Sequence, residues 1–124
     1  MSKDFEAEWI RLFRTWQERL LGDDAWEIIY VADSSMGDLR AQAEMLASSR
    51  KATIRFNADL SPRNATACHE FVHLLLCHLT QAADDVARTL DSPAAGLALT
   101  LLDRRAEEVT AVLTARFLAA YGEE

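Results

Sequence analysis

Apolar side chains recur at helical spacing over the first part of the chain. From Asp4 to about Leu21 they fall every three or four positions, and Arg and Glu side chains occupy the opposite face; the apolar positions are Phe5, Trp9, Leu12, Phe13, Trp16 and Leu20. This spacing is typical of an amphipathic helix, and Gly22 favours a helix end directly after it. The sequence therefore predicts an N-terminal helix whose aromatic stripe lies in the core.

The periodicity shortens in the next part of the chain. Residues 26–31 are β-branched and aromatic, and residues 51–57 alternate between apolar and polar side chains, so both segments are predicted to be strands. Residues 39–46 leave two structures open. Their alternation favours a half-buried strand, whereas their Ala, Leu, Glu and Gln content favours a helix. The polar residues 48–50 predict a turn before the last strand.

Two further helices are predicted in the second half of the chain. Ser61 and Pro62 indicate a helix start, with serine as the N-cap and proline in the first turn. This helix is expected to reach about Gln81. After a polar connection, a long final helix is predicted from Pro93 to about Tyr121.

Composition limits the classes of function. Half of the 124 residues are hydrophobic, which is enough to bury a core and too apolar for intrinsic disorder. With the order of elements, this predicts one α+β domain over residues 1–124.

The net charge of −7 disfavours binding to nucleic acid and to anionic membranes. No apolar run reaches the roughly 18 residues of a membrane span, and the charged start lacks a secretory signal. We expect a cytoplasmic protein with no nucleic-acid or membrane partner.

The candidate chemistry lies within the predicted helix that begins at Ser61. His69, Glu70 and His73 form an H-E-x-x-H pattern in an otherwise apolar stretch. Positions four apart lie on one helix face, so the two imidazoles can bind one metal ion, and zinc suits nitrogen ligands. Glu70 can then accept a proton from a metal-activated water that attacks a carbonyl carbon. The alternative is two core histidines beside a satisfied glutamate, although burying these groups without partners is costly. His78 is interpreted as a surface or packing residue.

A catalytic zinc site also needs a third protein ligand. Glu107 and Glu108 lie in the middle of the last predicted helix, between apolar turns. A helical hairpin would bring that helix against His69 and His73. Composition and spacing leave both glutamates open as the ligand, and they equally allow both to be solvated on the outer face.

The residues from Ala67 to Leu76, together with Glu107 and the apolar residues after it, resemble the ImmA/IrrE-like metallopeptidases, and especially their short phage-type members within the gluzincin group. The resemblance implies a minimal zincin-like fold. In that fold a small, mainly antiparallel three-stranded sheet, with residues 39–46 as a strand, packs against an N-terminal helix, the H-E-x-x-H helix and a long C-terminal helix. It also implies Glu107 rather than Glu108 as the third zinc ligand. Four residues later, where the family often has Asn or Asp, this chain has Ala111.

The resemblance also implies an activity. We expect a zinc-dependent metallopeptidase that hydrolyses peptide bonds, with Zn²⁺ held by His69, His73 and Glu107 and with Glu70 as the base. Its substrate is expected to be a peptide or protein that pairs as an extended strand with residues 51–57. A role in phage or prophage regulation is implied as well. The oxyanion-stabilising group stays open among four residues, namely Tyr30, Tyr121, Arg104 and Arg105.

Two other functions compete with this expectation. One is a non-catalytic zinc-binding module, a pseudoenzyme that binds a regulatory protein partner. The other is an acidic adaptor or inhibitor that binds no metal.

Overall fold

A computed structural model describes residues 4–22 and 26–123. Within these residues, three helices and three strands make up the fold, with short 3-10 turns at Ser34–Met36 and Ala47–Ser49. In chain order the elements are α1 (Glu6–Leu21), β1 (Glu27–Ala32), β2 (Ala41–Leu46), β3 (Lys51–Phe56), α2 (Asn64–Ala87) and α3 (Ser92–Ala120). The α+β class expected from the sequence is confirmed, and residues 41–46 form a strand rather than a helix.

The aromatic stripe of α1 joins the sheet to α2. Trp9, Phe13 and Trp16 are fully buried, as the helical spacing predicts. The Phe13 ring stacks on Tyr30 of β1 at 5.4 Å between centroids and meets Phe71 of α2 at 6.3 Å. A buried indole needs a partner for its N–H, and Trp9 Nε1 donates to the Leu60 carbonyl oxygen at 2.8 Å. This aromatic layer therefore fixes the orientation of α2 relative to the sheet.

The sheet is mixed, and the expectation of a mainly antiparallel sheet is wrong. The strand order is β1-β3-β2, with β3 antiparallel to β2 and parallel to β1. A simple meander would have placed β2 in the centre and made both pairs antiparallel. The central position goes instead to β3, whose inward side chains Ala52, Ile54 and Phe56 are all buried. Because β1 and β3 then run in the same direction, their pairing is parallel.

The position of β3 also corrects the expected strand addition at residues 51–57. Both sides of β3 are already hydrogen-bonded, one to β1 and one to β2, so no further strand can pair with it. Within the described residues, β1 and β2 are the edges of this sheet. Of these two edge strands, β2 lies against α2.

The helices α2 and α3 form a long hairpin. α2 begins at Asn64 rather than at Ser61, because Arg63 is still extended at φ −133° and ψ 137°. It ends at Ala87, six residues beyond the predicted end at Gln81. The predicted boundaries of α3 differ from the observed ones by only one residue at either end. No helix among residues 4–22 and 26–123 combines the length and apolarity needed to cross a membrane.

The outer half of this hairpin extends beyond the core. Between His78 and Val109 only Ala87 is buried, and large apolar side chains such as Leu79 and Leu97 are more than 60% exposed. The inner half is different, because α2 is buried there on several sides and α3 buries Thr110 and Thr114. The residues of the H-E-x-x-H pattern lie in the inner half.

Candidate metal centre

Three potential ligand atoms converge between α2 and α3. His69 Nε2 and His73 Nε2 lie 3.0 Å apart. The Glu107 carboxylate oxygens lie 3.5 Å from His73 Nε2 and 4.0 Å from His69 Nε2. Ligand atoms of a tetrahedral zinc site with bonds of 2.0–2.1 Å are about 3.3 Å apart. The separation of the two imidazole nitrogens is shorter than that value, and the two Glu107 separations, which involve different carboxylate oxygens, are longer, so the side chains must adjust to bind one zinc ion.

The helical geometry of α2 positions the two imidazoles. His69 and His73 lie one turn apart on the face that turns toward α3, and their rings meet edge to face with centroids 4.7 Å apart. Both side chains are about two-thirds or more buried. Without a metal, one Nε2–H can donate to the other Nε2, which also accounts for their 3.0 Å separation.

The end of the chain holds α3 against the start of α2. A Glu123 carboxylate oxygen accepts a hydrogen bond from Asn64 Nδ2 at 3.0 Å, and Asn64 Oδ1 accepts one from Trp16 Nε1 at 3.0 Å. The Trp16 ring also meets Tyr121 edge on, at 5.6 Å between centroids. Because α3 is continuous from these contacts back to Glu107, they help to set where the Glu107 carboxylate lies.

The protonation of His73 favours metal binding. Burial lowers the pKa of this imidazole, the neighbouring His69 lowers it further, and the charge of Glu107 raises it. The net result is a pKa below the usual value. A neutral imidazole is the form that binds a metal ion, so this environment keeps His73 in its ligating form.

Glu70 lies beside the two histidines, between α2 and the edge strand β2. The residue is only 7% exposed, and this burial raises the pKa of its carboxyl to about 7. The Ala43 backbone N–H donates a hydrogen bond that lowers the pKa, and the Glu107 charge raises it. A general base is most effective when its pKa is near the working pH. The environment of Glu70 therefore suits a group that takes up and releases a proton near neutrality.

The two candidate glutamates of α3 point to different partners. Glu107 faces His69 and His73, whereas the Glu108 carboxylate accepts a hydrogen bond from Arg105 Nη1 at 2.8 Å. This arrangement supports Glu107 as the third ligand and leaves Glu108 in an exposed ion pair. His78, the remaining histidine, lies outside the cluster, with its ring 6.3 Å from that of Trp26.

Three of the four residues considered for oxyanion stabilisation have hydrogen-bond partners outside the metal cluster. Tyr30 donates its hydroxyl to Gln17 Oε1 at 2.7 Å, in the aromatic layer next to α1. Tyr121 donates to the Arg19 carbonyl oxygen at 3.4 Å. Arg105 pairs with Glu108, and Arg104 is exposed on α3. The tyrosines are therefore structural, and neither belongs to the metal cluster.

A cleft of about 540 Å³ opens beside the cluster. His69 and Glu70 form part of its wall together with Ala65 and Thr66 of α2, and the segment leading into β2 and the inner half of α3 complete it. Four alanines line it, namely Ala41, Ala65, Ala111 and Ala115. Sequence reasoning did not identify this cleft, since alanine carries no chemical signal. The one available clue was the spacing of Ala111 and Ala115, four and eight residues after Glu107.

The arrangement as a whole has a specific chemical capacity. Two imidazoles and a carboxylate can bind a divalent cation, and a buried carboxyl next to them can accept a proton from water. Comparison of the chain with protein-family models, curated proteins and solved structures finds no match.

Proposed function

We propose that this chain is a zinc-dependent metallopeptidase. His69, His73 and Glu107 would bind the zinc ion, and Glu70 would be the general base. One observation carries the proposal: three ligand atoms within 4.8 Å of one another lie beside a buried carboxyl whose pKa is about 7. Three protein ligands leave a fourth position open, which is the usual composition of a catalytic rather than a structural zinc site.

The residues of this chain divide the chemistry between them. Zinc, when bound, supplies Lewis-acid activation of a water molecule and of the substrate carbonyl. Glu70 accepts the proton that the water loses as it attacks the carbonyl carbon, and it then returns a proton to the leaving amine. The Ala43 N–H stabilises the charged form of Glu70 before the reaction. A buried carboxyl holds and releases this proton near neutral pH more readily than an ordinary carboxylate would.

We infer that the substrate is a peptide or protein segment in extended conformation. β2 is an edge of the sheet and touches Glu70 through Ala43. An extended segment added to this edge would therefore pass close to the base and the metal ligands. This moves the expected pairing from β3 to β2. The cytoplasmic location and the phage or prophage role remain predictions.

Metal content is the first test. Protein purified without added metal, analysed by mass spectrometry, is expected to contain about one zinc ion per chain. His73→Ala and Glu107→Gln should lose it, whereas Glu108→Gln, which alters the neighbouring exposed carboxylate, should keep it. Equal zinc content in the Glu107 and Glu108 variants would reject Glu107 as a ligand. No zinc in the wild type, even after zinc is offered, would reject the proposal and favour a metal-free adaptor.

Catalysis is tested separately with Glu70→Gln. The zinc-loaded wild type should cleave members of a mixed peptide library, detected by mass spectrometry, and the Glu70→Gln variant should retain its zinc but lose cleavage by about a hundredfold or more. A library left intact by the zinc-loaded wild type would instead favour the non-catalytic zinc-binding module.

A further inference from the structure

The outer half of the α2–α3 hairpin carries an apolar surface on one side. A groove of about 160 Å³ lies between the two helices there, and its lining is aliphatic apart from Thr80 and Arg105; the aliphatic residues are Leu76, Leu79, Ala83, Leu102, Ala106 and Val109. Val86, two turns after Leu79, and Val112, which shares a neighbouring hollow with Val109, extend this surface and are exposed. Apolar side chains that collect in this way mark an interaction surface, which is termed the outer apolar face.

The opposite side of the same hairpin is polar and carries the metal cluster. A depression on that side has a polar lining that includes Gln81, Asp84 and Asp103. Glu107, which faces the two histidines, comes one turn after Asp103 and two positions before Val109. Two positions rotate a helix by about 200°, so Glu107 and Val109 project on nearly opposite sides of α3. A molecule that covers the outer apolar face would therefore leave the metal cluster open.

The distribution of charge favours a second copy of the chain as the partner. Two copies of a chain with a net charge of −7 repel each other in general. At the edge of the outer apolar face, however, Arg105 and Glu108 form an ion pair at 2.8 Å and neutralise each other, so two copies can meet there without bringing like charges together. A basic partner protein would bind more favourably to the polar side, where Asp84 and Asp103 lie.

The shape of the outer apolar face suits contact with itself. In a two-fold symmetric dimer the same surface patch faces its own copy, so it must supply both protruding groups and hollows that receive them. The groove supplies the hollow, since a cavity of about 150 Å³ is large enough for a benzene molecule. Leu79 and Val86 supply the protruding groups, because both expose about two-thirds of their surface along α2.

The size of the outer apolar face is that of a weak but specific dimer. Leu75 lies one turn before Leu79 on the same side of α2 and is also exposed. From Leu75 to the hairpin turn near Leu90 the face is about 23 Å long at 1.5 Å per residue, and two packed helices are about 20 Å wide. Two copies would cover about 900 Å² as flat surfaces, before the ridges of side chains are counted, and specific interfaces of low affinity begin near about 1,000 Å².

We infer that the chain forms a two-fold symmetric dimer in which the outer apolar faces of two copies pack against each other as a four-helix assembly. The metal cluster of each copy would then open on the outside of the dimer. The inference goes beyond the proposed function and does not rest on it, because the outer apolar face lies on the other side of the hairpin from His73 and Glu107.

Sedimentation equilibrium of the full chain in the presence of a chelator, from about 1 µM to about 1 mM, tests the inference. The mass of the wild type is expected to rise from that of one chain to that of two. Leu79→Glu should weaken the dimer by about a hundredfold or more, because each copy then buries an unpaired charge. Leu97→Glu is the matched control, since it adds the same charge at a leucine of similar exposure, 63% against 69% for Leu79. Leu97 lies five positions before Leu102, about 140° around α3 from the groove, so this variant should leave the dimer intact.

Val86→Glu gives an independent check at the same face, and circular dichroism at the wild-type level identifies the variants that are folded. A wild type that keeps the mass of one chain up to about 1 mM would overturn the inference and leave the face to a helix of a different protein. Equal weakening by Leu79→Glu and Leu97→Glu, or weakening by neither, would overturn the assignment of the dimer to this face. Zinc content plays no part in these outcomes, so the proposed function is tested separately.

Discussion

Replacement of Glu70 by Gln should stabilise the metal-free protein in a pH-dependent way. Burial raises the pKa of Glu70 from 4.5 to about 7 in the folded protein. Well below pH 4.5 the carboxyl is protonated in both the folded and the unfolded chain. As the pH rises toward 7, the unfolded chain releases the proton and the folded chain retains it, so the free energy of unfolding falls. The loss is complete above the folded pKa and amounts to about 3 kcal/mol. The amide of the Glu70→Gln variant has no such titration, and its oxygen can still accept the Ala43 N–H.

The assay is urea unfolding in the presence of a chelator, followed by tryptophan fluorescence, for the wild type and Glu70→Gln. The difference in unfolding free energy between them should grow by about 3 kcal/mol from about pH 4.5 to pH 8 in favour of the variant. Titrations elsewhere in the chain occur in both proteins and cancel in this difference. Glu108→Gln, at an exposed carboxylate, should show no comparable growth. A constant difference across this pH range would refute the reasoning, since it would mean that the folded protein does not disfavour ionised Glu70.

Three further predictions follow from the same contacts. Zinc at a hundred times its dissociation constant should raise the unfolding free energy by about 2.7 kcal/mol, measured by urea titration with and without zinc, and His73→Ala should abolish that gain. Phe13→Ala, which removes a fully buried ring, should lower the unfolding free energy by about 3–5 kcal/mol in the same assay. Ile29→Ala, at a side chain that is 57% exposed, is its control. Similar losses in the two variants would contradict the structural role of the aromatic layer. Burial raises the pKa of Cys68 to about 11 and also raises that of Cys77. Both thiols should therefore react with a thiol reagent at about pH 8 only after the protein unfolds. The measurement is the rate of this reaction with and without urea.

The elements could be predicted from the sequence because their signals are local. The α1 stripe, the alternation in β3 and the H-E-x-x-H spacing each depend on neighbours a few residues apart, and the structure has a helix or strand in each place. The helix start predicted at Ser61 is wrong for α2, whose first residue, Asn64, forms side-chain hydrogen bonds with Trp16 and Glu123. Such tertiary contacts outweigh a local capping signal.

Strand order could not be derived in the same way. Alternation in β2 and β3 shows that each strand has a buried face, and it does not show which strand lies between the others. That choice depends on the burial of Ile54 and Phe56 against the helices, which involves the whole fold. The proximity of the two histidines could be predicted from the sequence, because His69 and His73 lie one turn apart on the same helix. Only the proximity of Glu107 required knowledge of how α3 packs.

The exposed outer half of the α2–α3 hairpin has a consequence for metal affinity. With only Ala87 buried between His78 and Val109, this half is held mainly by its own helical hydrogen bonds, and such regions open locally at low free-energy cost. Amide hydrogens of the outer half should exchange with solvent faster than those near Phe71. Glu107 is carried by the turn of α3 at which opening would begin, so molecules with an open hairpin lack one ligand. The apparent dissociation constant for zinc therefore rises as the closed fraction falls, and a partner that closes the hairpin would tighten metal binding without touching the metal.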